Sequence, residues 1–489
     1  MLKQLFCLLL AFAILLPLVS CSDGAASTTV TDVSETTTET EPEDTRVYPD
    51  LPAYDAEGAT VTVVNIDYTI PIWVQRDIYA EELNGEIIND AVFNRNFIVQ
   101  ERYNLKIVSN QVHDTYGTVV QANAAADGSI DLATVCLKHF AMLASSRNLV
   151  ELRTIPHLDL EKPWYDQSSV ECLSIANKLY GVCSDYTIMD KDATTGMVFN
   201  KQLLQDYNLQ DPYALAKSGS WTIDKLQEMS SNVSLDVNGD GKMDDNDRYG
   251  LLYQRDTMSS FYNGCGGIIA SKDEDDLPVM TLNTDRSYII LDKLYDYLYN
   301  EQICFHVMKF FDPLPEGFTN GMTRMFQANC ALFMWIRMAD VQNLRTMEVD
   351  FGILPIPKWD EKQARYFHSV NPYVGAAVIV PKCAPNLELT GLFIEAISAE
   401  SKYLLQPAYY EVMLTTKLTR DNESAEMLDI IFSSRIYDNG EIYDFGGIGG
   451  DLIYMTMTFD RNIASTYAKK EKMIAKQIEK TVKDFTEDE

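Results

Sequence analysis

Residues 236–247 carry the pattern with the clearest chemistry in this chain: Asp236-Val237-Asn238-Gly239-Asp240-Gly241-Lys242-Met243-Asp244-Asp245-Asn246-Asp247. Calcium is a hard cation that takes about six to eight oxygen ligands. Asp236, Asn238 and Asp240 offer side-chain oxygens at two-residue steps, and Gly241 permits the sharp turn of such a loop. Lys242 would give its backbone carbonyl, and Asp244 would act directly or through water. Asp247 holds the last position, where Glu is usual, and its shorter side chain is a poorer bidentate ligand. A helix over 224–230 is expected before the loop and a strand over 249–253 after it. That makes one isolated Ca2+ site, suited to a structural clip rather than to a paired sensor. No His-Glu-x-x-His, Gly-x-Ser-x-Gly or phosphate-loop Gly-Lys-Ser/Thr run occurs, and the five His are scattered.

A second candidate lies at the N-terminus. Lys3 precedes an apolar run from Leu5 to Val19, and small residues lead into Cys21. A basic start, an apolar core and a small-residue cut site make a secretory signal over residues 1–20. Leu18-Val19-Ser20-Cys21 resembles the lipobox of bacterial lipoproteins, which implies lipidation of Cys21 and an anchor at the outer face of the cell membrane. Residues 22–46 are rich in Thr, Ser and acids. They bury too little apolar surface to offset ordering entropy and should form a disordered tether spanning roughly 25–30 Å. No second apolar run is long enough to span a bilayer.

The chain has 489 residues, with 72 acidic against 40 basic side chains and a net charge of −32. That field repels nucleic acid and anionic lipid, and it favours neutral or cationic ligands. The 27 Tyr and 20 Phe suffice for a core and leave aromatic surface for recognition. Of nine Cys, seven follow Cys21 at irregular spacing, with no C-x-x-C pair for zinc or redox chemistry. Only Cys172 and Cys183, flanking an expected hairpin, form a pair worth testing for a disulfide.

These features must be positioned by a scaffold whose periodicity is legible. Residues 59–64 alternate with β-branched side chains and read as a strand, and 85–103 carry apolar residues at helical spacing. Strands over 106–108 and 130–135, a helix over 116–126, and then strands over 196–200, 331–335 and 374–380 continue the alternation. Helices over 221–230, 387–398 and 461–485 complete it. Strands alternating with helices imply βαβ units and an α/β fold with mainly parallel sheets. No repeat of 20–50 residues marks a solenoid or propeller.

Several motifs, in their order along the chain, resemble the extracellular solute-binding proteins of bacterial ABC transporters, family 1, the carbohydrate-type binders. They are the lipobox, the helix opening Asn84-Gly85-Glu86-Ile87-Ile88, and Pro163-Trp164-Tyr165-Asp166-Gln167. Lys178-Leu179-Tyr180-Gly181-Val182, Gly219-Ser220-Trp221-Thr222, Phe351-Gly352-Ile353-Leu354-Pro355 and Tyr373-Val374-Gly375-Ala376 follow. The Gly446–Gly450 stretch has no counterpart and its role stays open. The resemblance implies a two-lobed clamshell. Residues 47–190 with 373–402 would form lobe 1, and 191–372 with 403–489 lobe 2. The chain would cross between them near 185–195, 371–373 and 400–405. It further implies a monomer that takes a carbohydrate, of oligosaccharide size, into the cleft and passes it to an ABC permease without catalysis.

Sugar binding needs aromatic platforms with polar groups around them. The candidates are Trp73 in the loop after the first strand, Trp164 with Asp166, and Asp185 with Tyr186 before the first crossing. Trp335 with Arg337 at a strand end and Tyr373 at the second crossing complete the set. A glycosidase needs only two carboxylates several ångströms apart, so it remains the enzyme alternative, beside a polysaccharide-adhesion lipoprotein.

Overall fold

The first β-branched run folds as strand β1 (Ala59–Ile66), with Val61, Val63 and Val64 fully buried. It pairs in parallel with β2 (Leu105–Val112), in register from Ala59 opposite Leu105 to Ile66 opposite Val112. Parallel neighbours need a crossover of about a dozen residues or more, and the helix Ile87–Tyr103 supplies it. Its start is fixed by Glu86, whose carboxylate accepts from the Asn89 N–H at 2.7 Å, and by Asp90, which accepts from the Asn84 N–H at 2.9 Å. Asn104 ends it in the left-handed region at φ 49°, a conformation that Asn tolerates.

The structure is a computed structural model and describes residues 46–67, 75–308, 317–415 and 422–487. The signal segment, Cys21 and the tether, up to residue 45, lie outside the described residues, as does Trp73. Contacts divide the chain into Met1–Val47 and Tyr48–Glu489, and everything below concerns the second unit.

Two five-stranded sheets organise it. The first contains β1, β2, β3 (Leu132–Cys136), β4 (Gly181–Val182) and β13 (Ala376–Ile379), in the order β2-β1-β3-β13-β4. The second contains β5 (Thr195–Asn200), β6 (Tyr249–Tyr253), β9 (Cys304–His306), β10 (Ala331–Arg337) and β11 (Phe351–Leu354), in the order β11-β5-β10-β6-β9. In each, most strands run parallel and an antiparallel partner closes the set: β13 in the first, β5 in the second. The hairpin β7 (Ala270–Lys272) with β8 (Pro278–Met280), and the short pair β12 (His368–Ser369) with β14 (Arg435–Ile436), complete the strands.

Each sheet has its own core, so the α/β, two-lobed architecture implied by the sequence is the observed one. Val63, Val135, Phe140 and Val378 belong to the first core, and Phe199, Leu251, Phe333 and Trp335 to the second. A third cluster, with Met334, Ile336 and Ile353, covers the other face of the second sheet. All seven residues of β10 are buried, because packed elements cover both faces of this central strand. Gly250 lets β6 press against the helix Ile223–Ser231: a Cβ there would lie 2.5 Å from the Ser230 carbonyl oxygen.

The chain passes between the cores at 192–195 and 369–375, and a third passage is the helix Leu387–Thr415. This helix extends well beyond the expected 387–398. Its early residues Leu392 and Phe393 lie in the first core, and Leu405, Ala408 and Tyr409, still at helical spacing, lie in the third. A further passage, absent from the sequence reading, is 437–442, where Tyr437 and Ile442 enter the first core. The helix Ile463–Thr486 also serves both cores. Ile463, Tyr467 and Ile474 pack in the second and Phe485 in the first, so residues after 403 are not confined to one lobe.

Gly446 and Gly447 have φ of +67° and +70° and start the helix Ile448–Thr458. A Cβ on Gly446 would meet Ile474 at 2.5 Å. The Gly446–Gly450 stretch thus lets the chain turn tightly beneath the C-terminal helix. No disulfide joins Cys172 to Cys183; both are separate thiols, and burial pushes Cys172 up to about 11 and raises Cys183 well above the usual thiol range.

Candidate functional site

Ligands of open α/β sheets sit beyond the carboxyl ends of the strands. In the first sheet β3 ends at Cys136, and the helix Leu137–Ser145 follows at once. Its first residues are held against the second passage: the Leu137 N–H donates to the Gly375 carbonyl at 2.9 Å and the Lys138 N–H to the Pro372 carbonyl at 3.1 Å. Lys138 therefore reaches over Tyr373, with Nζ 5.2 Å from the ring centroid. The same ammonium donates to the Glu441 carbonyl at 2.5 Å and stands 3.8 Å from Asp444 Oδ2.

The second sheet contributes the loop after β6. Asp256 Oδ2 accepts from Gln254 Nε2 at 3.0 Å and from Asn371 Nδ2 at 3.3 Å, which ties that loop to the second passage. Asn371 Oδ1 accepts in turn from the Tyr373 N–H at 3.0 Å. Thr195 at the start of β5 accepts from Ser260 Oγ at 2.8 Å. A small polar notch results, lined by Thr195, Asp256, Ser369, Asn371, Tyr373 and Glu441 among others. Tyr373 also lines a cavity of about 620 Å³, walled by Lys138, His139 and Met142 on one side and by Tyr443, Asp444 and Phe445 on the other. Tyr373 is 46% exposed, so its ring is available at the junction of notch and cavity.

Glu441 is the most perturbed acid of this group. Burial, then the neighbouring Asp438, push its carboxyl up to about 7, and hydrogen bonding by Ser259 and the charge of Lys138 offset this in part. Asp192 in the first passage is pushed to about 7 by burial, against the opposing Arg76 and Tyr409. Glu395 reaches about 7 for the same reason, although the Tyr165 hydroxyl donates to it at 2.6 Å. A carboxyl with a raised native pKa binds more protons in the folded than in the unfolded state, so stability falls as pH rises through that window. These three carboxyls are therefore expected to lower the melting temperature as pH rises from about 4 to about 7. A flat or rising profile by calorimetry would contradict these three assignments.

The sequence candidates separate sharply. Tyr373 lines the notch and the adjoining cavity. Trp335 and Arg337 are 3% and 4% exposed at the end of β10, where they edge only a narrow crevice, and Arg337 is held by Asp340 at 2.9 Å. Trp164 and Tyr186 are fully buried in the first core and present no surface to a ligand. Tyr186 stacks under Arg95, whose guanidinium also donates to the Asp77, Ile78 and Tyr186 carbonyls at 2.8, 3.1 and 3.0 Å. Asp166 caps the helix Gln167–Leu173 and pairs with Arg435 at 2.6 Å. Asp185 pairs with Lys191 at 3.3 Å. Both aspartates line a different cavity, with Lys191, Lys402 and Arg435. Sequence reasoning missed Lys138, Asp256, Asn371, Glu441 and Asp444. The position of Lys138 and Asp256 just past strand ends could have revealed those two, whereas nothing local marks Glu441.

In loop 236–247 the oxygens turn inward on the backbone. Asp236 accepts from the Gly239 and Gly241 N–H groups at 2.7 and 2.8 Å, and Asn238 and Asp240 accept from Asp240 and Lys242 at 2.8 Å each. Asp247, 1% exposed, takes the Val237 and Asp244 N–H groups at 2.9 and 2.8 Å. Gly239 and Gly241 supply the positive φ, +72° and +81°. Lys242 and Asp244 complete the loop. Among the described residues no group of three or more His, Cys, Asp or Glu side chains is placed to hold a metal ion.

The sequence matches no protein-family model and no curated protein. Solved structures do match it. The ABC substrate-binding protein Lmo0181 from Listeria monocytogenes, in complex with cycloalternan, is 12% identical with a TM-score of 0.50, over 87% of this chain and 98% of that one. A cyclo/maltodextrin-binding protein complexed with maltotetraose is 12% identical with a TM-score of 0.55, over 88% and 99%. Maltose-bound T. maritima MalE3 is 14% identical with a TM-score of 0.52, over 86% and 99%. The chain has the fold of these binding proteins. The match spans nearly the whole length of each of those chains. Among the described residues no helix is long and apolar enough to cross a membrane.

Proposed function

We propose that this protein binds a carbohydrate, of oligosaccharide size, between its lobes and delivers it to an ABC permease, without catalysing a reaction. The observation that carries the reading is the roughly 620 Å³ cavity past the end of β3, with Tyr373 in its lining, in a fold shared with proteins solved holding maltose and maltotetraose. A half-exposed aromatic ring offers an apolar face to a pyranose, and Asp256, Asn371, Asp444 and Lys138 offer hydroxyl partners around it. Lipid on Cys21 would keep the loaded protein at the outer face of the membrane, within reach of the permease.

Titration calorimetry with maltose, maltotetraose and oligosaccharides of other linkages tests the reading. Saturable binding without release of reducing ends is the expected result. Turnover would favour the glycosidase alternative, and failure of every saccharide would reject the carbohydrate assignment.

The oxygen spacing in loop 236–247 supports a structural Ca2+ there. Each carboxylate oxygen bound to an N–H keeps a second lone pair, so Asp236, Asn238, Asp240, Asp244 and Asp247 with the Lys242 carbonyl could gather on an ion after a small rearrangement. A ligand that binds only the folded state raises the melting point by mass action. Millimolar calcium is expected to raise the midpoint and a chelator to lower it; equal midpoints would remove the ion from the account.

A further inference from the structure

The acids around Tyr373 outnumber the cations that face them. Asp256 and Glu441 line the notch, and Asp444 lines the adjoining cavity. Lys138 is already engaged: its ammonium lies over the Tyr373 ring, donates to the Glu441 backbone carbonyl and stands 3.8 Å from Asp444. Arg255 has its Nε 3.5 Å from Asp256 Oδ1. Among the described residues no Lys or Arg forms an ion pair with the Glu441 carboxyl.

Glu441 is 7% exposed in the wall of the notch. Burial, then Asp438, hold it near neutrality at about 7; Asp256 acts in the same direction, and Ser259 and Lys138 act against it. Asp438 is fixed in place, since its oxygens accept from the Ile269, Ala270 and Gly440 N–H groups at 2.7, 3.1 and 2.8 Å. A carboxyl so enclosed stays costly to ionise until a positive charge reaches it. The half-exposed ring of Tyr373 beside it adds a second feature that attracts cations, the negative face of an aromatic ring.

We infer that the saccharide bound here is an amino sugar with a free amine, its ammonium placed in the notch against Glu441 and Asp256 and its ring over Tyr373. An ammonium brings three N–H donors and the positive charge that the notch lacks, whereas a hydroxyl brings one donor and no charge. Acetylation of the nitrogen removes that charge, so an N-acetylated sugar loses the contact. Approach of the ammonium favours ionised Glu441. Binding at pH 7 therefore releases about half a proton, the share that a carboxyl at about 7 carries there. The inference rests on the proposed cleft being the sugar site.

Three tetrasaccharides of one linkage isolate the nitrogen: cellotetraose, the β-1,4-linked glucosamine tetramer and its fully N-acetylated form. Titration calorimetry of the full chain at pH 7, with maltotetraose as a fourth probe, is run in two buffers of different ionisation enthalpy. The glucosamine tetramer should bind about tenfold more tightly than the other two of its set, the gain expected of a charge-assisted contact. It alone should show proton release. Glu441→Gln, which keeps the shape of the side chain, should abolish both the preference and the proton release, and Asp256→Asn should reduce the preference. Equal affinities within the set, or binding of maltotetraose alone, overturn the inference and leave the carbohydrate reading standing. A preference that persists in Glu441→Gln, or that comes without proton release, also overturns it. Failure of all four saccharides overturns the inference and the reading together.

Discussion

Replacing Asp166 by Ala is expected to destabilise the fold by about 3–5 kcal/mol, because it leaves a buried guanidinium without its main partner. Arg435 donates through Nε and Nη2 to one Asp166 oxygen at 2.9 and 2.6 Å, and the Tyr437 hydroxyl donates to the same oxygen at 2.8 Å. Burial opposes ionisation of Asp166, but Arg435 and Tyr437 outweigh it and hold the carboxyl below the usual range. A depressed carboxyl contributes stability that is present above its unfolded pKa and lost as pH falls through the native value. The Asp166→Ala deficit in urea unfolding should therefore be full at neutral pH and shrink in acid. Replacing both partners, Asp166→Leu with Arg435→Met, should recover part of it. A deficit below about 1 kcal/mol at pH 7 would put the pair among ordinary surface bridges.

Truncation of Tyr373 should produce the largest change in ligand affinity. Aromatic anchors at the centre of a site cost about 2 kcal/mol or more when cut to Ala, which is about thirtyfold in Kd. Tyr373→Ala is expected to weaken the best-binding saccharide by that factor, with the melting midpoint little changed because the side chain is half exposed. Tyr373→Phe keeps the stacking face and should retain most of the affinity. Equal binding by Tyr373→Ala and wild type would move the site away from the notch.

Much of the fold was legible because local rules act over short distances. The alternation at 59–64 appeared as β1, and the 85–103 periodicity as the helix Ile87–Tyr103. The strands near 130–135, 196–200, 331–335 and 374–380 likewise appeared as β3, β5, β10 and β13. The helix from Leu387 was read too short, ending at 398, although its buried side continues past Pro407 to Met413. The candidate site was far less legible. Tryptophans were favoured as platforms because they are large and flat, and the same size makes them effective core residues: Trp164 and Trp221 are fully buried. An aspartate after an aromatic reads equally well as a sugar ligand or as a helix cap with a distant arginine.

By itself, then, the sequence determined the elements, their α/β alternation, the acidic character and the regular spacing of oxygens in loop 236–247. All of these follow from propensity, periodicity and composition within a few turns of chain. Only the tertiary structure decided that Asp166 faces Arg435, 269 positions away, rather than a ligand. It alone brought Asp256, Tyr373 and Glu441 around one notch, with Lys138 on the adjoining cavity, and set another cavity beside the passages. The physical reason is that a side chain's role depends on what desolvates it and which charges stand opposite. Those neighbours come from strand ends and passages that meet only when two sheets, built from interleaved segments, have closed on their cores.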